Sequence, residues 1–224
     1  MSPRDLSVLC DPEKHSKENA LEATKSAAAR DEALHLKVAR ILRDQCTAPD
    51  PDLNLIGRTL EVLDAAASPR VFIALVRAIL RSCDPRVQSK CVLMLARRET
   101  DLLWAYKLLE RDDPRLRANV VEGFWENDSP GVRQLFERAA KDSHHRVVGN
   151  AAYGLRLQKA PEFHAVIETM QNSPDPMFRR ALTWLIEKIA EPDLFPLLKL
   201  LIRDPDPAVR TGAFLAVASL RTRG

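Results

Sequence analysis

Apolar residues recur along most of this chain every third or fourth place, and the stripes they form restart at regular intervals. The restarts share a phrase: DPRVQSK at Asp84, DPRLRAN at Asp113, DPMFRRA at Asp175 and DPAVRTG at Asp206. From Asp113 the place of the opening aspartate returns at His144, Asp175 and Asp206, each 31 residues on. Stepping back 29 residues reaches Asp84 and a further 32 reaches Asp52, whose opening is weaker but whose later apolar places are kept. The chain therefore carries an internal repeat in six copies, the first of them degenerate.

Each phrase opens a helix for a local reason. Aspartate caps the free amides of the first turn, and proline tolerates the first helical place, where its missing N–H had no partner. With the cap as zero, places 3, 7 and 11 read Val87, Cys91, Leu95; Leu116, Val120, Phe124; Val147, Ala151, Leu155; Phe178, Leu182, Ile186; and Val209, Ala213, Val217. That is one apolar stripe at helical spacing. Second apolar helices are predicted between these at Val71–Leu80, Leu102–Glu110, Val132–Ala140, Phe163–Met170 and Leu194–Ile202, several entered through Pro69, Pro130, Pro161 or Pro192.

Every unit is thus a helical hairpin too small to bury both its apolar faces alone. Stacking copies makes a continuous core, so the fold class expected is all-α, a solenoid of stacked hairpins. Glu18–Ala29 and Glu32–Cys46 read as further helices that cover the N-terminal end of the stack, with TAPDPD at 47–52 as a loop. The organisation expected is a helical cover over 1–47 and a repeat array over 48–224.

The D-P-x-V-R phrase at 29–32-residue spacing, followed by a small residue and then leucine, resembles HEAT repeats, in particular the short HEAT-like repeats of phycobilisome lyases. The resemblance spans roughly residues 52–222. It implies a ladder in which the capping aspartate and the arginine four places later tie adjacent repeats together. Arg117, Arg179 and Arg210 match that arginine, whereas Gln88 and Val148 depart from it.

In such solenoids the second helix of each hairpin lines the concave surface. With the stripe turned inward, places 2, 5, 9 and 12 face out into a groove. These supply Arg86, Arg115 and Arg146 in a row, Glu122, Tyr153 and Trp184, then Trp125 and Arg180, with Asn119 and Asn150 flanking in register. Arginine and aromatic residues dominate interface hot spots, which makes this groove the candidate binding surface. The plainer reading is a solvated arginine face with aromatics packed between neighbouring helices. The asparagine pair resembles the asparagine ladders of armadillo repeats, which hold extended peptides. Trp104, on an intervening helix, is expected in the core.

The fourth opening, DSHHRVVGNAAYG, has His144 and His145 where the others have aspartate and proline. Adjacent helical residues point about 100° apart, so the two imidazoles do not grip one metal without outside ligands; the plainer expectation is a degenerate repeat in which Asp142 or Ser143 takes over the cap. A sharper reading makes His144, His145 and Arg146 an anion site at an unusually electropositive helix end. The last helix shows Ala208, Leu215 and Ala218 outward, and end repeats normally need a polar covering face. Either this C-terminal helix docks on a partner or on a second copy, or its exposed face is small enough to be tolerated; of these, self-association is the reading preferred.

Composition narrows the function classes. Hydrophobic residues make up 46% of 224, ample for burial, and 34 lysines and arginines against 31 acidic residues leave a net charge of only +3. Nucleic acid is permitted as a partner, not implied. Cys10, Cys46, Cys83 and Cys91 form no CxxC pair, which fits a reducing cytoplasm. No signal-peptide pattern and no apolar stretch of about 18 residues is present, so no membrane contact is expected. There is no GxSxG, phosphate loop or HExxH, so no catalytic residue, cofactor or metal is expected. The reading is a non-enzymatic HEAT-like adaptor that binds an acidic, apolar protein segment in its groove. The alternatives are a nucleic-acid binder of the DNA-glycosylase array type, a structural subunit of a larger complex, and a phycobilin-lyase-like protein.

Overall fold

The computed structural model describes residues 21–27, 31–66, 85–96 and 102–223, which are helical with short connections and, among the described residues, contain no strand. The chain divides into two compact units, Met1–Thr100 and Asp101–Gly224. The division falls inside the stretch read as one array, and the boundary expected at 47/48 lies within the first unit.

In that first unit, residues 21–27 are helical and are followed by α1 (Glu32–Thr47), α2 (Leu53–Ala66) and α3 (Pro85–Ala96). Asp31 caps α1 by accepting from the amides of Ala33 and Leu34, and Asp52 caps α2 in the same way through Asn54 and Leu55. Leu34, Val38 and Leu42 bury one face of α1, which packs on α2, and α2 packs on α3. Val87, Cys91 and Leu95 are buried as the stripe requires. The helix expected at Val71–Leu80, its entry at Pro69 and the cap Asp84 lie outside the described residues.

The second unit is four hairpins. Their first helices are α4 (Leu103–Leu109), α6 (Pro130–Ala139), α8 (Glu162–Gln171) and α10 (Phe195–Leu201). Their second helices are α5 (Pro114–Gly123), α7 (His145–Leu157), α9 (Pro176–Ile189) and α11 (Pro207–Arg223). The second helices pack on one another in chain order, α5 on α7 on α9 on α11, which is the stacking of a solenoid. Asp113, Asp175 and Asp206 accept from the amides two places on, at 2.8 Å each. The 3, 7, 11 stripe is buried throughout except at Phe178 and Val217, which are half-buried. Trp104 is also half-buried, its ring 5.8 Å from that of Phe124.

At the odd opening the cap differs from expectation. His144 itself takes the extended cap conformation, and its Nδ1 accepts from the Arg146 amide at 3.3 Å. Asp142 is unavailable for capping because it already holds Arg117 bidentately, at 2.7 and 2.9 Å, and accepts from the His144 amide.

That pairing also corrects the ladder. The arginine four places after a cap binds not the next cap but the aspartate two places before it. Arg179 repeats the geometry on Asp204 at 2.7 and 2.9 Å. Each arginine also donates through Nη1 to its own loop carbonyls, Arg117 to Arg111 and Asp112, Arg179 to Ser173 and Pro174. Where Val148 replaces the arginine, the matching place two before the next cap is Ser173 and not aspartate. Both partners of that rung are absent together, so no buried carboxylate is left without a countercharge.

Candidate functional site

Within the second unit the stacking leaves a cleft of about 540 Å³ along α7 and α9, closed at one side by the C-terminal end of α5. Of the predicted groove residues, Glu122, Trp125, Arg146, Asn150, Arg180 and Trp184 line it, together with His145. Its size lies within the range of about 300–1,000 Å³ typical of ligand pockets.

Three aromatic rings form one cluster here. Tyr153 stands edge-on to Trp125 with centroids 4.7 Å apart and lies 6.4 Å from Trp184. The Trp125 indole donates to the Asn150 carbonyl at 2.9 Å, which fixes its ring. Trp184 is 38% exposed, and its ring lies beside Gly149, where an added Cβ would make ordinary contact at 3.7 Å.

Lys188, one turn beyond Trp184, was missed by the reading of the helical wheel. Its Nζ lies 5.4 Å from the ring centroids of both Trp125 and Tyr153, a geometry in which the ring faces attract the ammonium. The signal for it was the four-residue step from Trp184, which keeps a side chain on the same helical face. Met177, in register with Arg115 and Arg146, also lines the cleft and is exposed.

The lining therefore sets three cations, Arg146, Arg180 and Lys188, against one carboxylate, Glu122. His145 adds a fourth nitrogenous side chain. Burial pushes its imidazole below the ordinary value of 6.5, and His144, Arg146 and Arg180 push in the same direction against Asp175. His145 is thus neutral at neutral pH, and it stacks on His144 at 4.3 Å and meets Phe178 edge-on at 6.3 Å.

Other predicted residues are placed elsewhere. Asn150 is 7% exposed, and its amide donates to the Ala118 carbonyl at 2.9 Å, so it joins α7 to α5 where the sequence reading had it facing outward. Asn150 thus points at the preceding repeat, and Asn119 is not on the lining, so the pair does not stand as two rungs in the cleft. Arg115 is exposed on the first turn of α5, away from the lining. Tyr153 supports the two tryptophans without lining the cleft itself. The side chain of Arg86 lies outside the described residues. The anion site expected at His144, His145 and Arg146 loses a donor, because the His144 imidazole occupies the Arg146 amide that an anion would use.

Among the described residues no three His, Cys, Asp or Glu side chains stand together as a metal would need, and no helix is long and apolar enough to cross a membrane.

No curated protein matches this chain. Among solved structures, a designed armadillo repeat protein is similar at 15% identity, covering 97% of this chain and 99% of that one with a TM-score of 0.35. A second designed armadillo repeat protein, solved in complex with the peptide (KR)4, is 13% identical over 97% of this chain and 98% of that one, TM-score 0.35. A third, computationally designed for modular peptide recognition, is 14% identical over 97% and 98%, TM-score 0.36. Residues 163–223, which run from α8 to the end of α11, match the family of HEAT repeats.

Proposed function

We propose that this chain is a non-enzymatic repeat scaffold that holds an acidic, apolar segment of a partner protein in the cleft along α7 and α9. The observation that carries the reading is the lining itself: Arg146, Arg180 and Lys188 surround an exposed tryptophan, with Glu122 as the one opposing carboxylate. Carboxylates of the partner pair with the two guanidiniums, which offer planar bidentate donors, and an apolar side chain packs on Trp184 and Met177. The match of the last two hairpins to HEAT repeats supports a scaffold.

Selection from a random displayed peptide library tests this. The wild-type chain is expected to enrich sequences that combine Asp or Glu with Leu, Phe or Trp, and Arg146→Glu is expected to lose them. Truncating Trp184 to alanine should weaken a selected peptide by about 2 kcal/mol, the size expected of an interface hot spot. Enrichment of the same sequences on the Arg146→Glu chain would refute the site. Binding of duplex nucleic acid with a steep loss of affinity in salt, on the order of a thousandfold between 50 and 200 mM, would replace protein by nucleic acid as the partner.

A further inference from the structure

Arg117 of α5, Arg179 of α9 and Arg210 of α11 stand at one place of the repeat and act alike. Each reaches back with Nη1 to the carbonyls six and five places earlier, at 2.7 to 3.2 Å. In α7 that place is Val148, and the matching carbonyls, those of Asp142 and Ser143, accept from no donor among the described residues. The far end of the same rung is half kept. Asp142 and Asp204 hold their arginines while accepting from the amide two places on, at 2.8 and 2.9 Å. The Ser173 hydroxyl retains that second bond, from the Asp175 amide at 3.3 Å, so the loop keeps its turn and lacks only the charge. Between the two ends lies an open cavity of about 710 Å³, and Asp142, Val148 and Ser173, the three places of the rung, all line it. Glu168 of α8 lines it too, is exposed and pairs with no cation among the described residues. The other charges of the lining are Lys141 and Asp142, the latter already held by Arg117.

We propose that this cavity binds an arginine side chain of a basic partner segment, whose guanidinium takes the place that the chain's own arginine fills in the other rungs. The rungs themselves select that occupant. A planar guanidinium spans two adjacent carbonyls with one nitrogen and turns its other edge to a carboxylate, as Arg117 and Arg179 do, whereas an ammonium has no such fork. In the cavity the carbonyls of Asp142 and Ser143 receive the one edge, and Glu168 supplies the charge that Ser173 lacks. Because arginine and aspartate are both missing from this rung, an entering cation displaces no ion pair. The cavity shares no lining residue with the cleft along α7 and α9, so the proposal stands apart from the acidic segment proposed there.

Titration of the full labelled chain with the capped tripeptide acetyl-Gly-Arg-Gly-amide, followed by the Val148 methyl and Asp175 amide signals, tests it against the lysine counterpart of the same peptide. The arginine peptide is expected to shift both signals to saturation and the lysine peptide to bind several-fold more weakly. Ser173→Asp restores the carboxylate of the rung and keeps the bond to the Asp175 amide, so it is expected to tighten the arginine peptide about tenfold. Glu168→Gln, at an exposed place, is expected to weaken it by a similar factor. In the double variant Val148→Arg, Ser173→Asp the chain's own arginine completes the rung, and the peptide is expected to leave the Asp175 signal in place. The two single variants give the reading even if the double variant folds poorly. A wild type without a saturable shift, equal binding of the lysine peptide, or Ser173→Asp and Glu168→Gln chains that bind as the wild type does would each overturn the proposal.

Discussion

Arg179 has 13% of its side chain exposed and Asp204 only 6%, so the rung they form is nearly out of water. Removing one partner leaves the other charge uncompensated, at a cost of about 3 kcal/mol, whereas replacing both by apolar side chains of similar volume costs far less. Urea unfolding of Arg179→Met, Asp204→Leu and the double variant is expected to show both single losses exceeding that of the pair. The same rungs set an acid limit. Arg179 holds the Asp204 carboxyl below its ordinary value of 3.8. Burial pushes Asp142 upward, but the bonds from Arg117 and the His144 amide leave it below that value too. A carboxyl whose folded value is depressed contributes stability that is fully present above its unfolded value and is lost as pH falls through the folded one. The urea midpoint is therefore expected to fall steeply below about pH 3.8, and less steeply in the chain lacking both Arg179 and Asp204.

Two glycines of α7 separate packing from propensity at the scale of a single helix. A Cβ at Gly154 would fall 2.6 Å from the Phe136 ring of α6, a contact that overpacks the hairpin, and Gly154→Ala is expected to destabilise the chain by about 1–3 kcal/mol. At Gly149 the same atom would meet the Trp184 ring at 3.7 Å, so Gly149→Ala is expected to raise the thermal midpoint through the better helix propensity of alanine, worth about 1 kcal/mol. Opposite shifts from one substitution in one helix are the measurable outcome. The helices themselves were legible in the sequence because caps and stripes are local: Asp113, Asp175 and Asp206 each act within three residues of themselves. The rungs were less legible because the carboxylate stands 25 places from its arginine, in the loop before the next cap. The joint loss of arginine and aspartate at Val148 and Ser173 was the available signal. His144 was misread because an imidazole nitrogen accepts from an amide as a carboxylate does, a role that the D-P phrase hides.

At the scale of the molecule, function rests on where unlike side chains from three helices come together in the second unit. The helical wheel placed Trp125, Arg146, Arg180 and Trp184 on the outward face, and these line the cleft. It did not show that the cleft lies along α7 and α9, with α5 contributing only its C-terminal end, which leaves Arg115 and Asn119 outside the lining. Nor did it show Lys188 folded over Trp125 and Tyr153, since that contact crosses from one repeat to the next. The three tryptophans offer a direct reading of this arrangement, because Trp104 packs on Phe124 away from the cleft while Trp125 and Trp184 line it. The decisive measurement is a titration of the nitrogen-15-labelled chain with a selected acidic, apolar peptide, following the three indole N–H signals. The account predicts that Trp184 shifts most, that Trp125 shifts with it as Lys188 is drawn toward the peptide carboxylates, and that Trp104 stays in place. A saturating peptide that leaves Trp125 and Trp184 unmoved would contradict it.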